Sequence, residues 1–505
     1  MQYSLKTVAK ETLLYSLERF ALRGCSSLIT LWLQTTLLPP SAYGVITEFY
    51  GYVALGQVVY FLAMDMAYCR FAPTLGQQYT FNIVTTLLML TGLLLSLTIG
   101  IVAPQIARIT GHLKYIRYFY YVALLLPLDT LLYIVHTKLR TTHKISQLLL
   151  IKFIQVLANA GLSFILLYFP AGLAAIAHTI STYLSFITVQ LNPEDAIFIA
   201  NLLANILTLS FTLPYFKGFR WIWHSHTIQR MVHYATHALL TTLFLRLHDQ
   251  LPLLLFRQLV PSVFCSRYTK EAIVGNLGMA YKLATCFALG IQAFKYAVEP
   301  FLFNHAKHNN SPKLYGQLMY LYLYIACLVL SLFSLNIKWI IKVFLPSAYS
   351  HHSIEEILPY LAFIYVCLGA FYNLTLPLKI SNHTVYIVWI TACGSFITAI
   401  LLCLLIPRFG HWGCIYATMS SSIAMALSAY CIGQSYYPIP YYKKGFILLV
   451  LTFLVLASHP LWSEKLISLQ PGFAYLFLNT ITIGLFYAIS KSLKKMLADQ
   501  EVCLS

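Results

Sequence analysis

Six basic residues, Arg19, Arg23, Lys152, Arg246, Lys282 and Lys295, fall inside long apolar stretches, and so do the acids Glu48, Asp65, Asp129, Asp249 and Glu299. Ionic groups in such places are costly unless they pair, face water or serve a pathway. The chemistry open to the basic set is to hold an anion away from bulk water. A guanidinium does this with two charge-assisted hydrogen bonds from one planar fork, and an ammonium does it as a point charge. Arg19 and Arg23 are four residues apart, so on a helix they share a face and can grip one anion. The competing reading has Glu18 neutralising Arg19 while both arginines reach to the membrane surface.

Among the acids, Asp65 can pair with a basic residue of the first apolar stretch in one state and release it in another, or carry a coupling proton. Glu48 and Asp129 are the other acids of the first half. Further on, Lys295 and Glu299 stand one helical turn apart, which fits an ion pair along one helix as well as a cargo contact. Pro300 removes a backbone donor beside them. Arg246 and Asp249, three apart, can form a compensating pair.

Other chemistries find no support. The tightest histidine groupings are His351-His352 and the pair His233 and His237, with no Glu or Cys near enough in sequence to complete a metal site. The eleven cysteines are scattered, and small buried hydrophobes are the plain reading of them. A phosphate-binding glycine loop, a serine elbow and paired carboxylates in a large soluble loop are all missing from the sequence. The longest connection, about 170 to 194, is largely apolar and offers only His178 and Glu194, with Asp195 just beyond it. It reads as a segment lying along the membrane surface. Such a chain is expected to be a transporter rather than an enzyme, without a cofactor, coupled to a proton or sodium gradient or to the membrane potential.

The elements that must position these residues are membrane helices. Of 505 residues 59% are hydrophobic and 10% charged, with a mean hydropathy of +0.73, more apolar surface than a soluble core of this size can hide. A helix needs about 20 apolar residues to cross the hydrocarbon. Roughly fourteen spans follow, at 12–36, 44–69, 82–104, 116–137, 147–169, 195–215, 233–256, 275–303, 315–336, 354–376, 385–405, 412–433, 445–461 and 472–490. The fold class is therefore all-α and polytopic. The spans divide into two pseudosymmetric six-helix lobes, 1–216 and 217–434, followed by 435–505 with two further helices and a tail. Placing both termini in the cytoplasm puts 17 Lys and Arg in cytoplasmic segments and ten on the other side, as the positive-inside rule requires. The first span keeps Glu18, Arg19 and Arg23 and so reads as a retained helix rather than a cleaved signal. The formal charge of +18 is then mostly loop charge facing anionic lipid, with no nucleic acid needed to explain it.

Several segments carry a resemblance. AYGVITEFYGYVA (42–54), AMDMAYCRFA (63–72), AYKLATCFALGIQAFKYAVEPFLFNHAK (280–307), Tyr372-Asn373-Leu374 with Lys379, and QSYYPIPYY (434–442) resemble the polysaccharide-biosynthesis flippases of Bacteroidetes-type bacteria. These belong to the multidrug/oligosaccharidyl-lipid/polysaccharide exporter superfamily, with the Wzx O-antigen flippases and the MurJ lipid II flippases. The resemblance implies a fourteen-helix inner-membrane protein working by alternating access. It implies an undecaprenyl-pyrophosphate-linked oligosaccharide as cargo, membrane lipids around it, and glycosyltransferases and a polysaccharide polymerase as partners. It also implies a cationic cavity, with Arg19 and Arg23 as anion contacts, Lys295 at the place of another and Asp65 in the acidic position of the motif. By their place in apolar stretches Arg246 and Lys282 are further candidate anion contacts, and Glu48, Asp129, Asp249 and Glu299 join Asp65 as candidates for coupling or gating. The chain departs from the pattern in three places. Trp32 and Thr36 stand where a proline and a Thr-Arg pair are common, Lys295 stands for an expected arginine, and the usual Asp-Arg pair is missing after His248-Asp249-Gln250-Leu251-Pro252-Leu253, where Arg246 and Asp249 could compensate. Lipid II as cargo and a drug or cation antiporter are the alternatives, the second calling for an acidic cavity where this chain has a basic surplus.

Overall fold

The structure is a computed structural model that describes residues 23–169, 192–265, 269–305, 311–349, 351–442, 446–452, 480, 482 and 484. Among the described residues it is all helix and turn, with no strand. The helices are α1 (Arg23–Leu37), α2 (Pro40–Phe61), α3 (Met64–Leu75), α4 (Gln77–Ile109), α5 (Ile116–Thr141), α6 (Ile145–Tyr168), α7 (Pro193–Thr212), α8 (Ser225–Leu259), α9 (Lys270–His305), α10 (Ser311–Leu335), α11 (Ile337–Phe344), α12 (His351–Leu374), α13 (Leu376–Ile380), α14 (Thr384–Phe409) and α15 (His411–Tyr436). Eleven helical segments of the described residues are long and apolar enough to cross a membrane, and they coincide with the second to the twelfth expected spans. The protein is an all-α polytopic membrane protein. Of the last two expected spans only 446–452 and residues 480, 482 and 484 are described, and the first eleven residues of the first span and the connection over 170–191 lie outside the described residues.

One expected element is divided. The span over 44–69 is two helices, α2 and α3, separated at Leu62 and Ala63, both at φ 50°. This left-handed conformation costs about 1–2 kcal/mol for a residue with a Cβ. No glycine or proline marks the break in the sequence. The Tyr133 hydroxyl accepts from the backbone N–H of Asp65 at 2.9 Å, and its ring stacks on Phe61 with centroids 4.1 Å apart. A side chain of α5 thus holds both sides of the break.

The chain divides into two compact units, one made of residues 1–282 and 382–425 and the other of 283–381 and 426–505. In the first, Phe49 sits in an aromatic core with Tyr118, Phe119 and Phe198, which draws α2, α5 and α7 together. α8 packs along α14 in the same unit. In the second, α10 packs on α12, and the Tyr322 hydroxyl donates to the carbonyl of Val366 at 2.8 Å. The connection that precedes α7 ends in a cap. The Asp195 carboxylate accepts from the Asn192 N–H at 2.6 Å and from Arg117 at 2.9 Å, so this acid caps the start of a helix rather than equipping a loop.

Candidate functional site

At one end of the first unit four helix termini converge on a charge cluster. Glu48 lies two turns into α2, His112 in the turn between α4 and α5, Arg257 in the last turn of α8 and Glu271 in the first turn of α9. The carboxylate Oε2 of Glu48 is 2.8 Å from His112 Nε2, and both side chains are 1% exposed. Arg257 Nη1 reaches the same oxygen at 3.4 Å while its Nη2 donates to Glu271 Oε1 at 2.9 Å. The guanidinium also lies over the ring of Tyr115, 5.4 Å from its centroid. Lys270 closes the cluster by donating to the carbonyls of Arg257 and Val260. Arg257 is suited to the central place because one planar fork can serve two carboxylates on two helices. Glu48 Oε1 and His112 Nδ1 are buried without hydrogen-bond partners, so the cluster is tightly held but not saturated.

Beside it α2 and α9 meet backbone to backbone. A Cβ at Gly44 would run into the carbonyl of Glu271, and one at Gly275 into the carbonyl of Pro40. Only glycine permits this approach. It is what brings the start of α9, with Glu271, alongside the start of α2.

Along α9, eleven residues beyond Glu271 and so roughly 16 Å away on the helix axis, lies Lys282. Its Nζ donates to Gln34 Oε1 of α1 at 3.2 Å and stands 5.8 Å over the ring of Tyr43. Among the described residues no carboxylate is within ion-pair distance of it. Its described partners, an amide oxygen and a ring, carry no formal charge.

Two polar networks lie elsewhere in the unit. Asp129 of α5 accepts from Gln57 at 2.9 Å with one oxygen and from Asn205 at 2.7 Å with the other. Gln155 in turn donates to Asn205 at 2.9 Å. His248 of α8, 1% exposed, lies 2.8 Å from Thr398 of α14 and 3.0 Å from Ser422 of α15. No group of three or more His, Cys, Asp and Glu side chains placed to hold a metal occurs among the described residues.

Among the described residues, those singled out from sequence are not gathered in one place. Glu48 belongs to the charge cluster, Lys282 to the α1–α2–α9 contact and Asp129 to the amide network. Asp65 lies in the first turn of α3, where a carboxylate favours the positive end of the helix dipole. Arg246 and Asp249 form no ion pair. Arg246 is exposed and Asp249 half-buried on the same helix, near enough for attraction. Arg19 lies outside the described residues, as do the side chains of Arg23, Lys295 and Glu299, although α9 itself runs on through Pro300. Sequence reasoning missed His112, Arg257 and Glu271. Their sign was legible, but Arg257 reads as ordinary loop charge and nothing local ties it to an acid some two hundred positions away.

No family model matches the chain, and no curated protein sequence matches it. Solved structures do. The lipid II flippase MurJ in an inward closed conformation is 14% identical and matches with a TM-score of 0.64 over 94% of this chain and 99% of its own. An inward-facing multidrug resistance MATE transporter of the MOP superfamily is 12% identical, with a TM-score of 0.61 over 86% and 98%. A MATE protein in a bent conformation matches at 0.55, with 12% identity over 86% and 94%. At these identities the likeness is one of fold, and the fold of this chain is the one shared by MATE transporters and MurJ.

Proposed function

We propose that the chain is a flippase that moves an undecaprenyl-pyrophosphate-linked oligosaccharide from the cytoplasmic to the outer leaflet of the inner membrane, with both termini cytoplasmic. The observation that carries the reading is Lys282, a half-buried cation inside a membrane-spanning helix whose described partners are a neutral amide and a ring. A drug or cation antiporter has no use for such a group, whereas a pyrophosphate needs one. Arg19, Arg23, Arg246 and Lys295 complete the anion path in this reading. Asp65, Asp129, Asp249 and Glu299 provide coupling to a proton or sodium gradient or to the membrane potential. The Glu48–His112–Arg257–Glu271 cluster is the tie that must part for a headgroup to leave at that end. The lobes 1–216 and 217–434 would rock about the cargo.

Lipid II is the second reading, favoured by the match to MurJ over nearly the full length of both chains. The test is flipping of a fluorescent lipid-linked oligosaccharide, and separately of lipid II, in proteoliposomes under imposed proton, sodium and voltage gradients. The reading requires transport that falls at least about tenfold in Lys282→Gln, the loss of a charge-assisted contact worth roughly 1.5–3 kcal/mol. Well-folded wild type that moves neither lipid, or a Lys282→Gln variant as active as wild type, overturns it.

A further inference from the structure

The second unit carries a charged pocket that the transport reading does not use. α11 lies in the connection between two membrane-spanning helices, α10 ending at Leu335 and α12, whose apolar span starts at Ser353. Residues 336–349 therefore sit at the membrane boundary. α11 itself is sided by helical period. Ile337 and Ile341 are buried against the unit, at 1% and 2% exposure, while Trp339 and Val343 point away from it at 64% and 50%. Lys338 and Lys342, also four residues apart, occupy the face between these two stripes. A helix at this position with an outward Trp and Val beside two lysines matches an interfacial helix, its apolar edge in the acyl chains and its ammonium groups at headgroup level.

The two lysines open onto a cavity of about 550 Å³ lined by Lys338, Ile341, Lys342, Leu345, Ser347 and Glu355. At about 30 Å³ per water it has room for roughly eighteen waters, ample for one lipid headgroup. Its charges are of both signs. Lys338 is 3.3 Å from Glu355, with the two side chains 39% and 24% exposed. Lys342 makes no ion pair among the described residues. A half-exposed pair of this kind is weak and screened by solvent, too weak to lock the pocket against a ligand that offers both partners.

We propose that this pocket binds the headgroup of a zwitterionic phospholipid bearing a primary ammonium, a phosphoethanolamine. Its phosphate is taken by Lys342 and Lys338 with the Ser347 hydroxyl, and its ammonium by Glu355. A purely anionic headgroup would leave Glu355 facing a like charge. A trimethylammonium would offer Glu355 no N–H to accept from.

The test uses the full chain in detergent and native mass spectrometry with phosphatidylethanolamine, phosphatidylglycerol and phosphatidylcholine of identical acyl chains. Separate arms compete with glycerophosphoethanolamine and with inorganic phosphate. Wild type should retain phosphatidylethanolamine over either other lipid by about fivefold, Lys342→Gln should lose about that factor, and Glu355→Gln should lose the preference over phosphatidylglycerol. Glycerophosphoethanolamine should compete and inorganic phosphate should not. Unchanged melting temperatures in both variants separate these effects from misfolding, since both side chains are exposed enough to be replaced without a cavity. Equal retention of the three lipids by wild type overturns the proposal, as does Lys342→Gln behaving as wild type or displacement by inorganic phosphate alone.

Discussion

Glu48 and His112 meet at 2.8 Å with 1% of each side chain exposed, so a carboxylate and an imidazole from opposite sides of a four-helix end have only each other and Arg257 to replace water. Removing one partner strands the other, which costs about 1–3 kcal/mol for a buried polar group. A double-mutant cycle of Glu48→Ala and His112→Ala, read by thermal unfolding in detergent, is expected to give a coupling of about 0.5–3 kcal/mol. Additive effects would show that the two side chains do not act as a pair.

Gly44→Ala is expected to destabilise by about 1–3 kcal/mol, because its Cβ collides with the backbone of Glu271, which cannot rotate away as a side chain can. Gly100→Ala on α4 is the control. A Cβ there meets nothing within 4 Å, and the change should stabilise by about 0.5–1 kcal/mol through helix propensity. Melting temperatures of the two variants check the contrast.

Asp129→Asn and Asp129→Ala should differ. Asparagine keeps one acceptor, and the Gln57 amide can turn to offer its oxygen to the new NH₂. Its cost is expected to be below about 1 kcal/mol, whereas alanine leaves two amides of the network without their acceptor and costs about 1–3 kcal/mol. If the carboxylate carries the coupling charge, Asp129→Asn should in addition abolish the response of transport to an imposed gradient while leaving the melting temperature near wild type.

His248→Ala is expected to cost about 2–5 kcal/mol. The ring fills space between α8, α14 and α15, and its loss leaves a cavity as well as the hydroxyls of Thr398 and Ser422 without it. His248→Gln, which can reach one hydroxyl, should recover part of this. Equal losses in the two variants would show that neither the filled volume nor the single hydroxyl contact carries the effect, since glutamine restores most of the first and part of the second.

Most of the helical scaffold was readable because lipid leaves backbone few options, so a run of apolar residues with polar ends is already a helix with known ends. What escaped was what side chains do between helices. The break at Leu62 and Ala63 carries no glycine or proline and is held by Tyr133, a residue of another helix. Arg257 and Glu271, at the ends of spans, look like topological charge until the fold sets them beside Glu48. Arg246 and Asp249 have the spacing of a pair along one helix and attract each other, but no salt bridge closes between them. Lys282 was legible as an intramembrane cation, but its partner Gln34 was an unremarked polar residue of the first span.

The backbone meeting of Gly44 and Gly275 has a mechanical side. Where two helices touch without side chains between them there is nothing soft to compress and no interdigitation to unlock. The pair can turn about the contact but cannot be pushed closer. It is a fulcrum, and charges at one end of α9 and Lys282 farther along the same helix are the two arms of the lever it supports.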